Sequence, residues 1–365
     1  MFPLGSHILS LTYVLALAEN AAAGKAWGPW GGKPMFVSAG QSIQSAITSA
    51  QPGAKIIVKP GTYAEQLLIT QSGLSLIGLP GATLVPPTTP SPNVCTNVGG
   101  TENDQAGICV AGKDVVFADA VAEHKKVSTV GQRVKDVTIS GFTIKGFSGE
   151  NIALVGAEST KVLGNTLIDG GRYGVLSDGC IDSLIYGNTV TKSPPLGFIS
   201  ICVDDVSGAK VQDNQVDGTY VGLCTQTSGA DVSGNTVKNT CQAVFIDPDI
   251  AGAKVHDNHL SDSNPACNKA EDNPVGNYGV IAAGSIGAVI KDNTVERISS
   301  GGQTNPFAAG IAIIDWPAPP TLASDNVVEG NVLSENDFDV LLFTNGTGNV
   351  VQDNECSTSA PPGLC

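Results

Sequence analysis

The sequence predicts an all-β fold, a single-stranded parallel β-helix in which the chain winds as a solenoid of stacked coils. One observation is a recurring pattern in which a β-branched residue is followed, two positions later, by Gly or Asp, then by Asn, and after one further residue by an apolar residue. The other observation is that short β-branched runs are separated by Gly, Asn and Asp, which tolerate positive φ at tight corners, whereas helical periodicity is absent. The pattern occurs at Asn165, Asn188, Asn214, Asn235, Asn258, Asn293, Asn331 and Asn354.

The spacing of these asparagines defines the coils. Most are 21 to 26 residues apart, and two separations are 35 and 38 residues. A coil of three short strands fits the shorter spacing, and stacked coils place equivalent residues about 4.8 Å apart. The asparagines are therefore predicted to form a ladder of side-chain amides. The two long coils predict excursions near residues 264–277 and 299–309, which would build groove walls.

Composition limits the class of protein and its partners. The chain has 365 residues, of which 41% are apolar, and a formal net charge of −15. These values predict one soluble domain with a substantial core, and we expect a monomer. The negative charge argues against nucleic acid or an anionic membrane as partners. A polyanionic substrate would need a metal ion or a local basic patch.

The N-terminus has features of a targeting segment. Residues 8–18 form an apolar run that is too short to span a bilayer, and Ala16-Leu17-Ala18 resembles a small-x-small cleavage site. No Lys or Arg precedes Lys25, so the positive region of a signal peptide is missing, and a disordered or helical N-terminus is the alternative. We predict a secreted protein with a signal peptide at 1–18 and a β-helix domain at 19–365, divided into a cap (36–63), repeats (64–356) and a tail (357–365).

The nine cysteines agree with an oxidising compartment. The predicted disulfides are Cys95 with Cys109, Cys241 with Cys267 and Cys356 with Cys365. Cys180, Cys202 and Cys224 lie on successive coils and are interpreted as small buried thiols. No CxxC spacing is present, so a zinc site is not expected.

The first coils show how the solenoid begins. Residues 42–50 have apolar residues at helical spacing, which predicts a short helix that caps the open first coil. Strands are predicted within 55–63 and 67–79. Residues 83–127 break the rhythm and are predicted to form a long loop over one flank, followed by an early coil at 135–147.

The order SIQSAI, then KIIVKPGTYAEQLLI, then LSLIGL, followed by the VxGNTV repeats, resembles right-handed parallel β-helix proteins of the pectate-lyase-like superfamily, including its NosD-like members. The resemblance covers nearly all of residues 36–356 and implies a right-handed coil. It is poor evidence for activity, because that fold hosts lyases, epimerases, hydrolases and proteins without known chemistry.

An acidic strip follows if all coils are in register with the asparagines. The position ten residues before each asparagine would then form one column: Val155, Asp178, Asp204, Thr225, Pro248, Ala283 and Thr344. Asp205, Gln226, Asp247 and Asp249 flank this column. Carboxylates this close repel one another, so some have raised pKa values or a cation lies among them.

Paired carboxylates suggest a glycoside hydrolase. The segments LSDG (176–179) and CVDD (202–205) resemble the Asp-Gly and Asp-Asp motifs of polygalacturonase-type hydrolases, which would act with inversion through Asp178, Asp204 and Asp205. The Gly-His-Gly and Arg-x-Lys motifs of those enzymes are replaced by CTQTSG and FIDPD, which weakens this interpretation.

The alternative chemistry is β-elimination or C5 epimerisation of a uronic acid, with Ca²⁺ held against the sugar carboxylate by Asp204, Asp247 and Asp249. Asp247-Pro248-Asp249 resembles part of the Asp-Pro-His-Glu signature of alginate epimerases, although Asp249 stands where the proton-transfer histidine would be. Arg172, Lys192 or Tyr173 would replace that base, and His256 and His259 fall beyond a corner.

Each aspartate could also be an ordinary turn or surface residue, and only the clustering over successive coils favours function. We predict a secreted enzyme with lyase-like or epimerase-like action on a uronic-acid polysaccharide, the hydrolase and a non-catalytic glycan-binding protein being the alternatives. The predicted catalytic residues are Asp178, Asp204, Asp205, Asp247, Asp249 and Arg172, and the predicted substrate-binding residues are Tyr173, Lys192, Thr225 and Gln226.

Overall fold

The computed structural model describes residues 33–118, 123–194, 196–268, 273–302 and 307–365. The predicted signal peptide lies outside these residues. The described chain forms three long parallel sheets, as predicted, and each complete coil contributes one strand to each sheet, while the first and last coils are incomplete. The interior is filled by Val, Ile and Leu from all three sheets.

The three sheets have 12, 10 and 11 strands. The strands of the first sheet are Met35–Val37, Lys55–Val58, Ser75–Gly78, Thr138–Ser140, Lys161–Leu163, Leu184–Tyr186, Lys210–Gln212, Asp231–Ser233, Lys254–His256, Val289–Lys291, Val327–Glu329 and Val350–Gln352. Those of the second are Gly61–Ala64, Ala82–Val85, Thr143–Lys145, Thr166–Ile168, Thr189–Thr191, Gln215–Asp217, Thr236–Thr240, His259–Ser263, Thr294–Glu296 and Val332–Ser334. Those of the third are Leu67–Ile69, Ile108–Ala111, Glu150–Val155, Tyr173–Asp178, Gly197–Asp204, Thr219–Thr225, Gln242–Ile246, Asn277–Ala283, Ala308–Ile314, Val340–Phe343 and Ser359–Ala360.

The predicted asparagine ladder lies at the corner between the first and second sheets. Asn214 shows its bonding: its Oδ1 accepts from Asn188 N at 2.9 Å and from Asn188 Nδ2 at 3.0 Å, while its Nδ2 donates to Ile185 O at 2.9 Å. Asn214 N and Nδ2 donate in turn to Asn235 Oδ1 at 2.9 and 3.0 Å. Each amide completes the bonding of a buried corner, and an Asn lies there in every coil from Asn165 to Asn354. The preceding coil has Phe142 at this position, and Phe142 N donates to Asn165 Oδ1 at 3.1 Å.

The predicted cap is the helix Ile43–Ser49. Ser42 is its N-cap and accepts from Ser45 N at 3.0 Å. The Glu65 carboxylate accepts from Ile43 N at 2.8 Å, so a negative charge lies at the positive end of the helix. The buried face, Ile43 and Ile47, covers the first coil. The described ranges contain no helix that is long and apolar enough to cross a membrane.

The break in the repeats is more structured than the sequence predicts. Residues 83–127 contain the third-sheet strand Ile108–Ala111 as well as loops, and an antiparallel hairpin pairs Lys113–Phe117 with Val127–Gln132. The hairpin packs on the coil where glycines leave room: a Cβ at Gly179 would approach Val127 Cβ to 2.5 Å, and one at Gly156 would approach Val130 Cγ2 to 2.7 Å.

Minor elements complete the chain. The remaining short pairs are Val134–Lys135 with Ala157–Glu158 and Trp316–Pro317 with Pro320–Thr321, and a 3₁₀ turn spans Pro265–Asn268. The two excursions predicted in the long coils fall partly outside the described residues.

Disulfides join the three predicted pairs, Cys95 with Cys109, Cys241 with Cys267 and Cys356 with Cys365. The interpretation of Cys202 and Cys224 as thiols was wrong, because they form a fourth disulfide. These two residues are direct partners in the register of adjacent coils, with Cα atoms 4.4 Å apart. Cys180 is a free, buried thiol, as predicted.

Candidate active site

A polar column runs along the outer face of the third sheet, but its register differs from the predicted one. Asp178 pairs with Asp204, as an equal offset from the asparagines requires. In the next coils Val203 pairs with Thr225 and Thr225 with Ile246, so Gln226 and Asp247, rather than Thr225 and Pro248, continue from Asp204. Compared with the corner after Asp204, the corner between the third and first sheets is one residue shorter after Gln226 and one residue longer after Asp247. The number of residues between the column and the ladder asparagine therefore differs from ten in these two coils.

The segment 123–127, just before the second hairpin strand, lies over this column. Its backbone is held by Lys125 N, which donates to Val98 O at 2.8 Å, and by Ala118 N, which donates to Lys126 O at 2.8 Å. Three of its side chains, those of Glu123, His124 and Lys126, contact residues of the column.

Asp204 is the best-connected carboxylate of the column. Its Oδ2 lies 3.1 Å from His124 Nε2 and 3.1 Å from Lys126 Nζ. Burial raises the pKa of Asp204, but the hydrogen bond from His124 and the charge of Lys126 outweigh burial and lower the pKa below its usual value. The Asp204 side chain remains 15% exposed and Lys126 51% exposed, so both can meet a solute.

Asp178 is covered by the segment. Both of its carboxylate oxygens accept from Val127 N, at 2.9 and 3.1 Å, and the residue is 1% exposed. Burial raises its pKa to about 7. Asp178 is therefore placed to anchor the segment, and in this conformation a substrate cannot reach it.

Asp247 lies two coils from Asp204, with Gln226 between them. Gln226 Nε2 donates to Asp247 Oδ2 at 2.6 Å and to Glu123 Oε2 at 3.0 Å. Burial, followed by the charge of Glu123, raises the pKa of Asp247 well above its usual value. Asp247 is partly exposed. The column thus holds one carboxyl with a lowered pKa, Asp204, and two with raised pKa values, the covered Asp178 and the partly exposed Asp247.

The prediction that Asp205 and Thr225 face the strip was wrong. Asp205 accepts a hydrogen bond from Ser177 Oγ inside the coil and is 6% exposed, and its backbone N donates to Thr227 Oγ1 at 2.7 Å. Thr225 is 1% exposed and pairs with core residues. Both follow the alternation of a strand, in which neighbours of an outward residue point inward.

Arg172 and Tyr173 support the segment from below. Arg172 Nε donates to Gly99 O at 3.0 Å, and its guanidinium lies 4.0 Å from the centroid of the Phe198 ring. Tyr173 is 0% exposed, and its hydroxyl lies 3.5 Å from His124 Nδ1. Tyr173 is buried, so its predicted place as a base or substrate contact was wrong. Arg172 is half-buried with hydrogen bonds to backbone carbonyls, and its catalytic role stays a prediction.

Lys192 and Asp249 lie away from the strip. Lys192 precedes the strand Gly197–Asp204 and packs at its start, whereas Asp204 is at its end, about 23 Å along the strand. Asp249 is exposed in the turn after Gln242–Ile246 with φ of 64°. The turn conformation explains Asp249 without chemistry.

The predicted calcium ligands do not fit Ca²⁺. This ion requires six to eight oxygen ligands. Asp204 already faces His124 and Lys126, Asp247 accepts from the Gln226 amide, and Asp249 is in the turn. His124, Asp178 and Asp204 have donor atoms within 4.8 Å of one another, but the Lys126 ammonium competes with any cation there.

Glu123, His124 and Lys126 are site residues that were not predicted from the sequence. His124 is one of only four histidines and lies in the break between repeats. That position was a usable signal, because insertions in a solenoid lie on the outer face of the coils. The contact of His124 with Asp204 joins residues 80 positions apart and cannot be deduced from spacing.

The buried carboxyls predict an unusual pH dependence of stability. Burial raises the pKa of Asp178 to about 7 and that of Asp205 to about 6, so the folded state binds more protons than the unfolded state above the unfolded pKa. The free energy of unfolding should therefore decrease from about pH 4 to about pH 7, on the order of 3 kcal/mol per group. Denaturant unfolding at several pH values measures this. Asp205→Asn should flatten the profile, and a wild-type profile that is flat or rises over this interval would contradict the expectation.

Comparison with family models gives a match to the family described as right-handed β-helix region, over residues 93–237 and 199–364. The chain belongs to the right-handed β-helix family. The right-handed parallel β-helix predicted from the sequence is thereby confirmed. No curated protein sequence matches this β-helix protein significantly.

Several solved structures are similar to this chain. A mutant DFA-IIIase of Arthrobacter chlorophenolicus A6 in complex with DFA-III is 16% identical with a TM-score of 0.51, covering 97% of this chain and 82% of that one. The A-module of a mannuronan C-5 epimerase of Azotobacter vinelandii is 12% identical with a TM-score of 0.47, covering 87% and 92%. The catalytic unit of a GH87 α-1,3-glucanase of Streptomyces thermodiastaticus is 14% identical with a TM-score of 0.48, covering 92% and 70%. At such low identity the likeness concerns the fold alone.

Proposed function

We propose that this protein is a polysaccharide-active enzyme in which Asp204 is the general base and Asp247 the general acid. The observation that carries the proposal is the opposite direction of their pKa shifts on one solvent-accessible column. Two carboxyls whose surroundings separate their pKa values can divide the two roles. His124, bonded to Asp204, is a positioning residue that fixes the carboxylate.

Lys126 favours a uronic-acid polysaccharide. The chain carries a net charge of −15, so an anionic polymer needs a local cation, and the Lys126 ammonium is 51% exposed beside Asp204. In β-elimination, Asp204 removes the proton at C5 and the C5–H electrons form the C4–C5 double bond. The C4–O bond breaks, and Asp247 protonates the departing oxygen. Lys126 stabilises the charge that develops on the sugar carboxylate.

A second candidate, inverting hydrolysis, is favoured by the spacing of the same two residues. Two coil spacings amount to about 9–10 Å, close to the separation that leaves room for a water molecule between acid and base. Hydrolysis through Asp178, Asp204 and Asp205 has less support, because Asp178 is beneath Val127 and Asp205 is inside the coil.

An activity screen on pectate, alginate, glucuronan and neutral glucans tests the proposal. Elimination gives the ultraviolet absorbance of an unsaturated uronate, whereas hydrolysis gives reducing ends without it. Binding to a polymer without either product would contradict the enzymatic proposal and favour the non-catalytic glycan-binding protein. Four disulfides support secretion, which we propose together with a monomeric state.

Lys126→Gln should raise KM for a uronate polymer about tenfold, because one charge-assisted contact is lost. Lys125→Gln is the matched control: it removes the same charge from the neighbouring position, where Nζ lies 5.9 Å from the Phe117 ring centroid rather than on the strip. Steady-state kinetics on both variants measure the effect. Equal changes in the two variants would show that Lys126 has no specific role.

A further inference from the structure

A second acidic group lies under a different loop of the third sheet. The disulfide between Cys95 and Cys109 closes this loop at its base. Within it, Asn97 N donates to Asp104 O at 3.1 Å. The loop folds onto Glu150, which is so close that a Cβ at Gly99 would approach Glu150 Oε1 to 2.4 Å.

Four side-chain oxygens of this loop and of Glu150 are buried without a hydrogen-bond partner of good geometry in the described part of the chain. They are both carboxylate oxygens of Glu150, Oδ2 of Asp104 and Oδ1 of Asn97. Glu150 is 0% exposed and Asp104 5% exposed. Buried acceptors in a folded protein are normally paired, and an unpaired buried carboxylate is destabilising. Such a group indicates a missing positive partner or a protonated carboxyl.

The nearby guanidinium does not supply that partner. Arg172 donates to Gly99 O at 3.0 Å and to Glu123 O at 3.3 Å and stacks on Phe198. These bonds direct its hydrogens to backbone carbonyls rather than to Glu150 or Asp104. Arg172 lowers the pKa of both carboxyls, but burial outweighs it and raises the pKa of Glu150 to about 8 and that of Asp104 above its usual value.

We propose that Glu150 and the loop 97–104 form a binding site for a divalent cation, with Ca²⁺ the best match. The donors are two carboxylates and an amide oxygen, and loop carbonyls can complete the coordination. An all-oxygen set on an irregular loop suits Ca²⁺ better than ions that prefer nitrogen or sulfur. The site is distinct from the strip and exists whether or not the strip is catalytic.

A bound cation would also fix the position of the segment 123–127 over the strip, without contacting the strip itself. Lys125 N donates to Val98 O, and Arg172 bridges Gly99 O to Glu123 O. A loop fixed by Ca²⁺ therefore fixes the segment 123–127 that carries His124 and Lys126. Calcium dependence of activity would thus arise from the loop and not from the aspartates of the strip.

The test is calcium titration of the full-length protein after treatment with EDTA, followed by calorimetry and thermal unfolding. We expect one saturable site and a rise in Tm of about 3–6 °C at a hundredfold excess of Ca²⁺ over Kd. Glu150→Gln, which keeps the side-chain shape, should weaken Ca²⁺ binding at least about tenfold and remove the rise in Tm.

Two controls separate this site from other acidic groups. Glu102→Gln removes an exposed carboxylate from the same loop and should keep the full calcium response. Asp204→Asn, on the strip, should keep it as well. Absence of saturable Ca²⁺ binding to the wild type, or an unchanged response in Glu150→Gln, would overturn the proposal. Higher stability of Glu150→Gln without any calcium response would show instead that Glu150 is a protonated buried acid.

Discussion

Asp204→Asn is expected to reduce turnover of the polysaccharide by about 10²–10⁴-fold, the range typical for loss of a general base. The amide cannot accept a proton, yet it has the size of the carboxylate and can still accept a hydrogen bond from His124. Asp247→Asn should have an effect of similar size, because an amide cannot protonate the leaving oxygen. Initial rates on the polymer identified by the screen measure both effects, and unchanged Tm values would show that the coil is intact.

Asp249→Asn is the matched control for these two variants. Asp249 is two residues from Asp247 but lies in a turn with φ of 64°, a conformation that Asn tolerates equally well. This variant should retain full activity. If Asp204→Asn and Asp247→Asn are as active as Asp249→Asn, the strip has no catalytic role.

Asn214→Ala is expected to lower the free energy of unfolding by about 3–5 kcal/mol, because several buried groups lose their partners at once. Asn188 N and Nδ2 lose their acceptor, and Ile185 O loses its donor. Alanine cannot replace either half of the amide, and water does not reach this corner, where Asn214 is 1% exposed. Equilibrium denaturation in urea measures the change.

Asn354→Ala is the control for the ladder. Asn354 is its last rung in the described chain and is partly exposed, so water can satisfy the groups that it leaves. Its loss should cost about 1 kcal/mol or less. Equal costs at Asn214 and Asn354 would contradict the view that burial of the ladder is what stabilises it.

The sequence predicts the coil well because the corner between the first and second sheets has an invariant length. Every repeat from Asn165 to Asn331 places two residues there, Gly or Asp followed by Asn, so the pattern reports the structure directly. The cap and three of the four disulfides follow from similarly local signals, namely helical spacing and cysteines at the ends of loops.

The site was less accessible to sequence reasoning, since it depends on the corner between the third and first sheets. That corner varies in length, so an offset of ten residues reaches Asp204 but misses Gln226 and Asp247 by one position each. The inward orientation of Asp205 has a different cause, because it follows from the alternation of outward and inward residues after Asp204. His124 and Lys126 reach the column from a hairpin outside the repeats, and no periodic signal describes such a segment.

The corner between the first and second sheets has a constant length, whereas the corners at the third sheet accept insertions. Two long insertions precede residue 133, and both lie at a border of the third sheet. They are the loop closed by Cys95 and Cys109 and the hairpin of Lys113–Phe117 with Val127–Gln132. Insertions there add side chains above the outer face of the third sheet and leave the asparagine ladder unchanged. The molecule therefore separates the corner that fixes the coil from the corners that can accept insertions, so the ligand-facing surface can change while the coil keeps its register.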